Sequence, residues 1–110
     1  MTETEFLALA QAVLQRVAET LEQEADAAGI DVECALSGNV LDIEFIDSGA
    51  KIIVNSQAPM QQIWVAASAG GFHFGFVDGQ WRDTRDGMEL FARLSELAGA
   101  HAGQPLTLVP

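Results

Sequence analysis

The chain has 110 residues, about half of them hydrophobic, and sixteen acidic against five basic side chains give it a formal charge of −11. This length and apolar content suit one domain, residues 1–110, with a core of its own, and the single cysteine, Cys34, excludes an internal disulfide and fits a reducing compartment. The charge argues against phosphate-backbone binding; with no run near the ~20 apolar residues of a membrane span and no basic leader, the expectation is a cytoplasmic protein.

Phe6, Leu9, Ala10, Val13, Val17 and Leu21 recur at helical spacing and predict a helix over 4–25, capped by Thr2 or Thr4 and stopped by Gly29. From Asp31 the period becomes two. Val32, Cys34 and Leu36 predict one strand, and Leu41, Ile43 and Phe45 a second across a Ser37-Gly38-Asn39 turn. Residues 51–56, 61–67, 72–77 and 80–82 predict four more. Their punctuation is Asp47-Ser48-Gly49, Pro59, Gly70-Gly71 and the hairpin signal Asp78-Gly79. A second helix is expected over 87–100, with Asp86 and Glu89 at capping-box spacing and Leu90, Phe91, Leu94, Leu97 and Ala98 as its buried stripe. The apolar tail 105–110 is expected to lie over the core. The fold class is α+β: a two-layer sandwich with two helices on one face of a roughly six-stranded antiparallel sheet, the other face left open.

The acids are unevenly placed. Residues 1–47 hold eleven of them and one base, Arg16; residues 48–110 hold five acids and four bases. Glu19, Glu22 and Asp26 fall on one helix face, Glu24 lies nearby, and Asp31 and Glu33 follow at the first strand. Crowded like charges destabilise a helix, and an exposed all-carboxylate array suits hard cations held weakly through water. The alternative is a face that is merely solvated. On the sheet, Ile63 and Val65 pointing inward would put Trp64 on the open face beside Asn55 and Gln57, as an interface anchor; the alternative is a core tryptophan. Trp81, at the sheet-to-helix corner, reads as buried. Catalysis has little to work with: Cys34 points inward, His73 lies within a strand, His101 ends a helix, and no nucleophile elbow, P-loop or zinc spacing is present.

The segments EFLALA, SGNVLDIEF, KIIVNSQAPMQQIWVA, GGFHF and WRDTRDGMELFARL, in this order around the acidic helix end, resemble the bacterial frataxins, the CyaY proteins. The resemblance spans essentially the whole chain, and its most specific run is Asn55-Ser56-Gln57-Ala58-Pro59 followed by Gln62-Ile63-Trp64. It implies a non-enzymatic, iron-binding regulator of iron–sulfur cluster assembly that contacts the cysteine desulfurase and the scaffold protein. It implies iron, Fe²⁺ or Fe³⁺, on the acidic ridge Glu19, Glu22, Glu24, Asp26, Asp31 and Glu33, with other divalent cations as alternative ligands. It implies partner contacts through Asn55, Gln57 and Trp64, and a monomer without iron, with iron-dependent oligomers left open. Ser56, Leu7 and Phe72 depart from residues common in the family at those places. Two alternatives stand beside this reading. One is a ferroxidase or iron-storage or donor protein, for which no Glu-x-x-His helix motif is present. The other is an acidic adaptor without a specific metal site.

Overall fold

A computed structural model describes all 110 residues. Helix α1 spans Glu3–Ala28. Thr2 caps it: its hydroxyl accepts from the Glu5 amide at 3.1 Å while the Glu5 carboxylate accepts from the Thr2 amide at 2.9 Å. That reciprocal pair satisfies two donors that the first helical turn would otherwise leave open. At the far end Gly29 takes φ 71°, a left-handed conformation costly for other residues. The buried stripe is Phe6, Ala10, Leu14, Val17, Leu21 and Ala25. This corrects one sequence expectation. Leu9 is 38 % exposed, and Leu14, further around the helix, takes the inward place.

Six strands follow: β1 Val32–Ser37, β2 Val40–Phe45, β3 Ala50–Gln57, β4 Gln62–Ala67, β5 Gly70–Val77 and β6 Gln80–Asp83. They lie in the order in which they occur and every pair is antiparallel. A single 3-10 turn, Ala58–Met60, joins β3 to β4. Asp78 and Gly79 both have positive φ, 51° and 80°, as the expected two-residue hairpin requires. The β4–β5 turn sits at Ser68–Ala69 rather than at Gly70-Gly71, which open β5.

Helix α2 spans Leu90–Ala102 and starts later than its sequence suggests. Glu89, not Asp86, is the cap: its carboxylate accepts from the amides of Phe91 and Ala92 at 2.8 and 3.1 Å. Asp86 turns the preceding loop, accepting from the Met88 amide at 2.9 Å. Both helices pack on one face of the sheet. The core joins Phe6, Leu14, Leu41, Ile43, Ile52, Val54, Ile63, Phe74 and Leu94 into one cluster that also takes in Trp81 from the sheet corner. The tail closes it with buried Leu106 and Leu108. No helix is long and apolar enough to cross a membrane.

Candidate functional site

The carboxylates singled out in the sequence do not form one cluster. Glu22, Asp26 and Asp31 line a shallow cleft of about 470 Å³ between the end of α1 and the start of β1, with Gln23, Ile30 and Val32. Glu19 lies on α1 before them, and its nearest cation is Arg16 at 4.0 Å. Glu33 points from the open face of β1, opposite Glu44 on β2. Glu24 is half-buried and already engaged, accepting from the Thr107 amide at 3.0 Å. The sequence could not reveal that bond, which joins residues far apart in the chain. All the others are exposed, and no three acidic, histidine or cysteine side chains converge closely enough to hold a metal by themselves. Their oxygen donors suit a hard cation whose coordination is completed by water.

The field of this ridge reaches inward. Burial first, and then the charge of Glu22, push the Cys34 thiol up to about 11. The thiolate, the reactive form, is therefore disfavoured, in keeping with the inward, half-buried place of Cys34 on β1.

On the open face of the sheet, Asn55, Trp64 and His73 lie in one row across β3, β4 and β5. Ile63 and Val65 are buried and Trp64 faces the other way, as expected. Its exposure is only intermediate, however, because its neighbours cover it. The His73 ring stacks on the indole at 4.2 Å and 9° between planes, and Gln62 accepts from the indole N–H at 2.9 Å. Gln57 stands opposite Gln62 one row further along. Sequence reasoning misses His73 and Gln62 as members of this surface. The signal is there: Trp64 and His73 are equidistant from the Ser68–Ala69 turn, so antiparallel pairing sets them face to face.

A third cluster holds the β6–α2 corner. The side chain of Arg93, 14 % exposed, lies between Asp83 at 3.7 Å, Asp86 and Glu96, with its guanidinium 4.8 Å over the ring of Phe72. The Met88 amide and then Arg93 hold the Asp86 carboxyl below the usual range.

This geometry has close relatives. A family model described as the frataxin-like domain matches residues 1–104. The iron-sulfur cluster assembly protein CyaY of Janthinobacterium sp. (strain Marseille) is 59 % identical over 108 residues, covering 98 % of this chain and 96 % of the relative. The protein of the same name in Paraburkholderia phymatum is 53 % identical, with both chains fully covered. Among solved structures, frataxin from Psychromonas ingrahamii superposes with a TM-score of 0.84 at 29 % identity, covering both chains completely. Trimeric frataxin from the yeast Saccharomyces cerevisiae, complexed with ferrous iron, reaches 0.73 at 27 % identity over 86 % of each chain. With its helices, its meander of six strands and nearly its whole length matched, the chain belongs to the frataxin family, as a bacterial CyaY protein.

Proposed function

We propose that this chain is an iron-responsive regulator of iron–sulfur cluster assembly. It would bind Fe²⁺ or Fe³⁺ weakly on its acidic ridge and dock on the complex of the cysteine desulfurase and its scaffold. The observation that carries the reading is the meeting of Glu22, Asp26 and Asp31 around one exposed cleft in the half of the chain that has a single base. The curated relatives carry the name of cluster-assembly proteins, and a structural relative is a ferrous complex. Both support iron as the ligand. Glu22, Asp26 and Asp31 would hold the cation with water, Glu19 and Glu33 extending the field around it. Glu24 contributes least, because its carboxylate is occupied by the tail. With no convergent ligand set, the site favours reversible binding over storage, and an open, hydrated ion over a fixed redox pair.

The ridge serves docking as well. A basic partner surface would meet Glu19 and Glu22 along α1 and Glu33 and Glu44 at the edge of the open face, and Trp64 with Asn55 and Gln57 would make the short-range contacts. The test is anaerobic ferrous titration followed by NMR, beside a desulfurase assay with and without the protein. Broadening confined to the cleft residues and an iron-dependent change in desulfurase rate are expected. Uniform broadening with an unchanged rate would refute the iron-responsive reading and leave the adaptor.

A further inference from the structure

Trp64 is held as well as placed. A half-exposed indole on a sheet can rotate among several χ1 and χ2 settings, and ordering it on binding costs free energy. Here both polar and apolar freedoms are removed beforehand. The N–H is satisfied by Gln62, on the same strand face two residues away, at 2.9 Å. One ring face is covered by His73 in nearly parallel stacking at 4.2 Å, and Asn55 lies opposite on the other neighbouring strand. His73 is itself exposed, so it adds nothing to the core. The groups around the stack complete the surface. On the β6 side Arg82 stands on the exposed face opposite Gly75, and Arg85 reaches back to the Gly71 carbonyl at 2.7 Å. On the β1–β2 side the same sheet carries Glu33, Asp42 and Glu44, with Lys51 paired to Asp42 at 3.5 Å. The face therefore runs from acids through a fixed aromatic plate to cations.

We infer that His73 and Gln62 are positioning residues that pre-set the Trp64 indole as the anchor of a docking surface. The occupant it fits is a folded protein with a basic rim over Glu33, Asp42 and Glu44 and an apolar or planar group seated on the indole edge. The inference rests on the reading that this sheet face meets the cluster-assembly complex. The charge gradient supplies the orientation and the stacked plate supplies short-range selectivity.

The test measures affinity for the cognate desulfurase–scaffold complex by calorimetry, together with the Trp64 indole N–H resonance of the free protein, using His73→Ala, His73→Phe, Gln62→Ala and Trp64→Ala. Trp64→Ala tests the docking face itself: it should abolish or sharply weaken binding, and unchanged affinity would overturn that reading. Given that loss, His73→Ala should weaken binding about three- to tenfold, the worth of one aromatic pair, and shift the Trp64 indole signal while leaving that of Trp81 in place. His73→Phe should restore affinity by restoring the stack. Gln62→Ala, which touches nothing in the core, should lower affinity in the same direction and expose the indole N–H to solvent exchange. Wild-type affinity in His73→Ala, or loss that His73→Phe fails to restore, would overturn the positioning role while leaving the docking face standing. If His73→Ala does not fold, His73→Phe and Gln62→Ala decide the matter: binding must survive the first and weaken in the second.

Discussion

Two side chains make their surroundings measurable. The folded pKa of Cys34 is raised from 9.0 to about 11, by burial and by Glu22. The unfolded chain therefore ionises first. The stabilisation from keeping the thiol neutral is complete below about pH 9 and is lost as pH climbs toward about 11. Melting temperatures from pH 8 to 11 should fall more steeply for the wild type than for Cys34→Ser; parallel curves would show that Cys34 is as accessible folded as unfolded. Arg93 is the opposite case, a cation whose partner Asp83 is only 5 % exposed. Arg93→Leu would leave that carboxylate with the Arg85 amide, at 2.8 Å, as its remaining partner. A loss of about 3 kcal/mol is expected, read as a lower urea midpoint. A shift under a third of that would mean that water replaces the guanidinium freely. The importance of Arg93 is not legible in the sequence, where it is one of four bases in the second half of the chain. Glu96, three residues along the same helix, can be read from local spacing, but Asp86 and the buried Asp83 come from a loop and a strand end that only the fold brings beneath it.

Helix α1 combines a good beginning with a poor end. Its N-terminus has a capping box and two acids in the first turn, whereas its last turn has no base and carries Asp26, near the negative end of the helix dipole. Glu19 and Glu22 are three residues apart and Glu22 and Asp26 four, spacings at which like charges repel. Replacing them together, Glu19→Gln, Glu22→Gln and Asp26→Asn, should stabilise the metal-free protein in low salt by ~0.3–0.5 kcal/mol for each repulsion relieved, seen as a higher melting temperature. Divalent cations or ferrous iron should then raise the melting temperature of the wild type and not that of the variant. A variant that melts lower than the wild type without metal would show that the ridge is not repulsive, and equal gains from metal would place the ligands elsewhere. Element types and order are legible because their signals are local: alternation in β1 and β2, Asp78-Gly79 between β5 and β6, Gly29 after α1. Boundaries are less so. Leu9 and Leu14 both fit a helical stripe until the sheet selects a rotation. Asp86, the favoured cap by residue type, is used by the loop to turn, while Glu89, expected as its partner three residues on, caps in its place.

Across the whole molecule, charge and packing are divided between two ends. The acids crowd the α1–β1 edge, the ion pairs of Arg93 gather at the β6–α2 corner, and the aromatic row lies between them on the open face. Docking dominated by the first of these should weaken steeply as salt rises. The same division explains what the sequence hides. Ridge residues can be read from helix spacing, but Glu24 is claimed by residue 107, and no local pattern announces so distant a bond. The tail has a further consequence. Its amides at 107, 108 and 109 donate to Glu24, Ser95 and Thr20 side chains at 3.0, 2.8 and 3.1 Å, and Arg16 donates to the Val109 carbonyl. The segment is thus clipped to both helices without joining any strand ladder, so it can peel away while the sheet stays whole. Native-state hydrogen exchange should find those three amides opening at a lower free energy than the β3 and β4 amides, and with a shallower dependence on denaturant, set by the exposure of Leu106 and Leu108 alone. Thr20→Val should speed exchange at Val109 first. Protection equal to that of the central strands would mean that the tail and the sheet unfold as one unit. A latch of this kind, with one catch on Glu24 beside the acidic cleft, would let a cation drawing on that carboxylate be felt as a loosened C-terminus.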